Sequence, residues 1–209
     1  MLKIVISLFF VFSLLWFIWR LGSRRYVIPC PAWLSWFVEM DNPFTKVNRA
    51  KTIIKYLNLK KGMIVLDVGC GPGRLTIPIA QIVEDTGQVV AMDIQQAMLN
   101  KVEQKAKKLD LNNITLLHSG IGLGGSKLEK NEFDRVLLVT VLGEIPNQKK
   151  ALQEIFDTMK DGAILSITEI IFDPHFQRRS VITKLAQSVG FKEKAFFGNF
   201  FAYTLHLEK

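Results

Sequence analysis

Cysteine is scarce in this chain: there are two in 209 residues, Cys30 and Cys70, far apart and in unlike surroundings. That pair excludes a disulfide scaffold and a multi-cysteine zinc site, and a reducing compartment is the easiest reading. No metal is expected. Acidic residues are missing from the first 25 positions, where Lys3, Arg20, Arg24 and Arg25 stand without a counter-charge. Those four supply half of the net charge of +8, leaving 23 basic and 19 acidic side chains over the other 184 residues. A surplus that small, with no block of interleaved arginines and aromatics, argues for a mildly basic surface and against a nucleic-acid groove. Internal repeats and low-complexity tracts are also absent. With 49% hydrophobic and 22% charged residues, the composition excludes disorder, collagen and a coiled-coil rod and fits one domain with a sizeable core.

An apolar run comes first in what is present. Positions 4–19, IVISLFFVFSLLWFIW, carry no charge, and their serines, Ser7 and Ser13, can bond back to helix carbonyls. As a helix this run spans roughly 24 Å, and residues 2–22, with Arg20 snorkelling, reach about 30 Å. Trp16 and Trp19 precede Arg20, Arg24 and Arg25 as an interfacial belt would. A cleaved signal peptide is the lesser reading, because a lone lysine leads the run and no small-x-small site follows; an in-plane or buried helix is a third. The expectation is an uncleaved, single-pass transmembrane anchor over 1–23, contacting the lipid bilayer through 2–22, with the globular part facing the cytoplasm. Residues 24–44 read as a juxtamembrane connector broken by Pro29, Pro31 and Pro43. Within it Trp33, Trp36 and Phe37 share one face of a short helix that lies among head groups, caps the core or lines an acceptor pocket.

From 45 to 209 helical and strand patterns alternate. Apolar spacing predicts a helix over 47–57, then strands at 63–68, 88–93, 114–118, 133–139 and 163–169 separated by helices at 74–84, 95–108 and 147–159. A Lys160-Asp161-Gly162 turn precedes the fifth strand. A helix over 178–189 and two strands near 191–197 and 200–207 complete the chain, the last two close enough to pair as an antiparallel hairpin through Gly198-Asn199. The near-continuous apolar runs VVAM and VLLV suit a parallel sheet buried on both faces, so the fold class is α/β, doubly wound and mostly parallel.

The chemistry concentrates in Val65-Leu66-Asp67-Val68-Gly69-Cys70-Gly71-Pro72-Gly73. Alternate glycines after a strand let the backbone turn sharply and approach a ligand at the carboxyl edge of the sheet. Asp93 closes the next strand at the distance expected of a ribose contact. The spacing is GxGxG, not GxGxxG, which speaks against a nicotinamide dinucleotide and suits a nucleoside without phosphates. With VVAMDIQQAML, FDRVLLVTVLGEIPN and the turn MKDGA, the sequence resembles the class I S-adenosylmethionine-dependent methyltransferases, and within them the small ubiquinone/menaquinone-methyltransferase-like group, from about residue 46 to the carboxyl terminus. The resemblance implies a seven-stranded Rossmann-like sheet with an antiparallel carboxyl-terminal strand, and S-adenosylmethionine as methyl donor. It implies that Gly69, Cys70, Gly71 and Gly73 form the methionine-side loop, with Asp67 near the amino group. Asp93 would take the ribose hydroxyls, Ile94 the adenine face, and Ser119 and Thr140 further cofactor contacts. The chain departs from the group after the third strand: His118-Ser119-Gly120 replaces the acidic residue that many members hold there.

Acceptor-side groups follow the fourth and fifth strands. Glu144 and His175 are the candidates for proton transfer, with Asn147, Asp173, Arg178 and Arg179 around them and Glu169 at the end of the fifth strand. Each has a plainer role: a surface ion pair for Glu144, a turn or cap for His175, a helix start for the arginines. His118 reads as structural, and Cys70 as a small packing residue without a base beside it. The activity implied is methyl transfer to an acceptor at or near a membrane, a lipid or quinone-like compound first. A protein lysine, a small metabolite, and a non-catalytic S-adenosylmethionine-binding module remain as alternatives.

Overall fold

The computed structural model describes residues 6, 7, 9–11, 13–15, 17, 18, 22, 39–41, 45–124, 126 and 128–209. The aromatic helix expected at 33–37 lies outside the described residues, as does much of the expected anchor. Among the described residues no helix is long and apolar enough to cross a membrane, so the expected transmembrane helix finds no counterpart there. The described positions between 6 and 18 are helical and carry exposed apolar side chains, Phe9, Phe10 and Leu14 among them.

Helix α1 (Ala50–Leu57) buries Ile53 and Leu57 and stops where Asn58 turns left-handed at φ 47°. Then follow β1 (Ile64–Val68), α2 (Thr76–Val83), β2 (Gln88–Asp93), α3 (Gln96–Lys108) and β3 (Ile114–His118). The second half is β4 (Phe133–Val139), a 3₁₀ turn at Leu142–Glu144, α4 (Gln148–Thr158), β5 (Met159–Ile170), α5 (Arg179–Gln187), β6 (Lys192–Gly198) and β7 (Ala202–Glu208). The seven strands stand in the order β3-β2-β1-β4-β5-β7-β6. β1 runs parallel to both β2 and β4, while β7 is antiparallel to β5 and β6. The chain winds outward from β1 through β2 to β3 and resumes at β4 on the other side, which opens a crevice beyond the carboxyl ends of β1 and β4.

Burial on both faces explains the apolar strands. Leu66, Val136 and Leu138 pack toward Leu152, Ile155 and Ile182 of α4 and α5 on one face. Val65, Val89 and Leu137 pack with Ile53, Leu57, Ile79 and Val83 of α1 and α2 on the other. Truncating a fully buried side chain such as Leu137 to alanine costs about 2–5 kcal/mol.

Two local expectations are corrected. The turn at Lys160-Asp161-Gly162 is absorbed into β5, which begins at Met159; Phe133 pairs Met159 and Arg135 pairs Ile164, so the residues between bulge out around Gly162 at φ 74°. The hairpin turn is wider than Gly198-Asn199, because Asn199 Oδ1 accepts from the N–H groups of Phe201 and Ala202 and holds Phe200 out of the strand.

Candidate active site

The glycine loop is fixed by the end of β2. Gly69 and Cys70 donate their N–H groups to Met92 O at 2.8 and 3.0 Å, and Gly71 N donates to Asp93 Oδ2 at 2.9 Å. The other Asp93 oxygen accepts Gln95 N at 2.8 Å, so one buried carboxylate joins the loops after β1 and β2. Each oxygen retains a second lone-pair direction, the requirement for receiving ribose hydroxyls. Gly69 has φ 68°, and a Cβ there would lie 2.5 Å from Val141 Cγ2, so the loop after β4 is seated on the glycine itself. Cys70 is buried against Ala91, Leu99 and Val102, and burial pushes its thiol up; it packs the loop from beneath.

Asp67 lies under the loop. Its Oδ2 accepts Thr76 Oγ1 at 2.7 Å, and burial, with Asp93 adding to it, pushes the carboxyl up to about 6 against the pull of Thr76 and Arg74. Thr76, at the first turn of α2, carried no signal in the sequence. Arg74 donates to Asp41 Oδ1 at 3.1 Å and Asn48 O at 2.9 Å, and Lys105 Nζ to Pro72 O at 2.8 Å, which brace the loop from outside. Beside it Ile94 and Leu123, 54% and 67% exposed, flank Gly120, where a Cβ would meet them at 3.2 and 3.1 Å. This open, apolar-walled slot suits a flat base. Ser119 N donates to Asp93 O at 3.2 Å, His118 Nε2 bonds Ile94 O at 3.0 Å, and Glu154 of α4 accepts Gly122 N at 2.8 Å to hold the slot's far wall. The cradle, the doubly held carboxylate and the slot fit S-adenosylmethionine.

The loops after β4 and β5 close the crevice from the other side. Thr140 turns the chain at φ 56°, an unusual conformation for a β-branched residue, and is held by its N–H on Thr168 O at 2.8 Å. The turn delivers Val141 to Gly69 and aims Leu142–Glu144 at the loop after β5. A Cβ on Gly143 would fall 2.0 Å from His175 O, so the two backbones touch. Glu144 Oε1 and Asp173 Oδ1 lie 3.7 and 3.8 Å from His175 Nδ1, and Asp173 Oδ1 also accepts His175 N at 2.7 Å. Burial first, then repulsion from Asp173 and Asp93, pushes the Glu144 carboxyl up to about 8. Glu169 is buried and held well above the usual carboxylate range by that burial, with Asp173 and Glu144 adding to it against the Gln177 N–H. Beside them an open pocket of about 350 Å³ is lined by Gly143, His175, Phe176, Gln177, Arg178 and Val181.

The structure thus gathers Gly69, Gly71, Asp93, Ile94, Ser119, Thr140, Glu144, Asp173, His175 and Arg178 around one crevice. Three other expected residues serve the frame. Asn147 caps α4, its Oδ1 accepting Lys150 N at 3.0 Å. Arg179 turns onto β6, pairing with Glu193 and stacking 4.1 Å over the Phe196 ring, which removes it from the acceptor side. Gly73 packs on Val102 of α3. Sequence reasoning missed Leu123, Val141, Gly143 and Gln177, whose parts depend on contacts across the crevice.

A methyltransferase-domain family model matches residues 59–196. The demethylmenaquinone methyltransferase of Oceanobacillus iheyensis is 32% identical over 112 residues, covering 54% of this chain and 46% of that protein; the match spans about half the length of that relative. Among solved structures, an S-adenosylmethionine-dependent methyltransferase from Aquifex aeolicus superposes with a TM-score of 0.74 at 22% identity, covering 86% of this chain and 98% of its own. The magnesium protoporphyrin IX methyltransferase of Synechocystis, solved with bound S-adenosylmethionine, gives 0.65 at 19% identity over 91% and 96%. These two likenesses concern the fold. Family match and crevice agree: the chain belongs to the methyltransferase-domain family, enzymes that draw their methyl group from S-adenosylmethionine.

Proposed function

We propose that the domain over 45–209 transfers a methyl group to a quinone-like small molecule in its reduced, hydroxyl-bearing form. The observation that carries this reading is the pocket beside His175, walled by Phe176 and Val181 and next to the half-buried carboxyl of Glu144. A phenolic ring fits that mixture of apolar wall and proton acceptor, and the relative of known sequence is named for a demethylated quinone. The cofactor, when bound, supplies a methyl group on a sulfonium, and alignment with exclusion of water carries most of the transfer. Glu144 takes the proton of the ring hydroxyl, which raises the electron density at a neighbouring ring carbon. That carbon would take the methyl as its bond to sulfur breaks and the neutral thioether leaves; its own hydrogen would pass as a proton to the ring oxygen, and Glu144 would release the first proton to solvent. A carboxyl near pKa 8 is close enough to neutrality in basicity for that task. His175, with Nδ1 3.7 Å from Glu144 Oε1, orients the Glu144 carboxyl toward the pocket.

The same reading keeps residues 2–22 as a tether to a bilayer, where an apolar acceptor would be met. Support comes from the uncharged run and from the exposed apolar side chains among its described positions. Flotation of the full chain with liposomes tests it; recovery in the soluble fraction alone would remove the tether.

The activity test uses the purified full chain with methyl-labelled S-adenosylmethionine and either a reduced 2-prenyl-1,4-naphthoquinone or a lysine-rich peptide. Label on the naphthoquinol, lost on Glu144→Gln while cofactor affinity persists, is expected. Label on the peptide alone, or on neither, would overturn the proposal.

A further inference from the structure

In the antiparallel pairing of β5 and β7, Glu169 stands directly opposite Tyr203, and each is only 1% exposed. Both reach the same residue. Gln177 N donates to Glu169 Oε2 at 3.0 Å, and Tyr203 Oη donates to Gln177 O at 2.6 Å. One cross-strand pair therefore holds both backbone polar groups of a residue in the loop between β5 and α5. Gln177 forms part of the pocket wall, with Phe176 on one side and Arg178, where α5 begins, on the other. The Phe176 ring meets the Tyr203 ring edge to face at 6.1 Å, and Ile171 N donates to Phe201 O at 2.7 Å. Other backbone bonds of this loop, from Asp173 N to Ile170 O and from Phe176 N to Asp173 O, close on the loop or its own strand.

Stability alone gives a poor account of an acid at this position. Among the described residues Glu169 Oε1 is buried without a hydrogen-bond partner, an arrangement that costs free energy an apolar strand residue would avoid. What the carboxyl supplies is the acceptor for Gln177 N–H. We propose that Glu169 and Tyr203 are positioning residues for the acceptor: they fix the loop that carries His175 and the pocket wall, without touching the acceptor. The inference rests on reading that pocket as the acceptor site. Burial pushes the Glu169 carboxyl well above the usual carboxylate range and the Tyr203 hydroxyl up as well, both toward the uncharged form, and glutamine keeps the shape and the acceptor oxygen of Glu169.

The test joins hydrogen–deuterium exchange over 171–178 in the full chain with calorimetry of S-adenosylmethionine and methyl transfer to the reduced 2-prenyl-1,4-naphthoquinone. Tyr203→Phe, which keeps the ring, and Glu169→Ala should each speed exchange in the loop about fivefold, the equivalent of one hydrogen bond. Each should raise the naphthoquinol KM about five- to tenfold, with kcat changed less and cofactor affinity retained within about twofold. Glu169→Gln should restore both readouts. Exchange and KM unmoved by Tyr203→Phe would overturn the proposal, as would Glu169→Gln behaving like Glu169→Ala, or cofactor affinity falling in step with KM. If Glu169→Ala does not fold, Tyr203→Phe decides. If the unaltered chain leaves the naphthoquinol unmethylated, the acceptor reading fails, and the exchange measurements still judge the positioning.

Discussion

Asp93 Oδ2 accepts the N–H of Gly71 at 2.9 Å, across 22 positions of sequence. The bond makes the second acidic residue part of the glycine loop, so the loop's shape depends on the carboxylate proposed to receive the ribose hydroxyls. Asp93→Ala leaves the N–H groups of Gly71 and Gln95 without their acceptor, at a cost of about 2–4 kcal/mol in stability. S-adenosylmethionine affinity should fall about 100-fold or more, whereas Asp93→Asn, which keeps one acceptor oxygen, should lose about tenfold. Calorimetric titration of the full chain with S-adenosylmethionine and, as a control, NADH measures both. Equal affinities in all three proteins would remove Asp93 from the cofactor site.

Gly69 and Val141 offer a test of how the two halves of the crevice meet. Gly69→Ala places a Cβ 2.5 Å from Val141 Cγ2 and strains a residue at φ 68°, so urea unfolding should show a loss of about 2–4 kcal/mol. Val141→Ala in the same chain should recover the steric part and leave about 1–2 kcal/mol of backbone strain. Strict additivity of the two substitutions would mean that the loops are not in contact.

The sheet was legible because its strands are buried on both faces: VVAM and VLLV admit few other readings, and the glycine loop punctuates them. β5 was misjudged at its start because Asp161-Gly162 has the chemistry of a turn, and the pairing of Met159 with Phe133, which draws it into the sheet, is not local. The shape of the glycine loop was legible for a related reason, since Gly69, Gly71 and Asp93 join the loops after β1 and β2 through backbone and spacing. Asp67 and the acceptor side were less so. Nothing adjacent in sequence says that Thr76 takes the Asp67 carboxylate, that Arg179 turns to Glu193, or that Gly143 is small because His175 lies against it. Those roles are set by packing between loops that follow different strands.

The half-buried carboxyl of Glu144 sets a sign for stability against pH. Its value of about 8 in the folded chain exceeds the ordinary 4.5, so between those limits the native state keeps a proton that the unfolded chain has released. Stability from this group is therefore complete below about pH 4.5 and is lost as pH rises toward 8. Glu144→Gln should match the unaltered chain near pH 4.5 and exceed it by about 1–2 kcal/mol near pH 8. Asp67 and Glu169 act in the same direction, so the slope should shrink without vanishing. Urea unfolding at pH 4.5, 6 and 8 measures it. A Glu144→Gln chain less stable than the unaltered one at pH 8 would show that the carboxylate is ionised and paired.

Gly143 gives the sharpest separation of cofactor binding from transfer. Its neighbour is the backbone oxygen of His175, 2.0 Å from where a Cβ would stand, and no side-chain rotation can relieve that contact. Gly143→Ala must therefore push the loop after β4 away from the loop after β5. Glu144 would move with it, and a displacement of about 1 Å at reacting groups costs on the order of 100-fold in rate. The glycine loop, Asp93 and the slot at Ile94 and Leu123 lie on the other side of the crevice and keep their own bonds to β2. The expected result is S-adenosylmethionine affinity within about twofold of the unaltered chain, with single-turnover methyl transfer to the naphthoquinol lowered on the order of 100-fold. Transfer at the normal rate would place the reacting acceptor away from Glu144 and His175; loss of cofactor affinity in equal measure would mean that the two sides of the crevice fold as one unit.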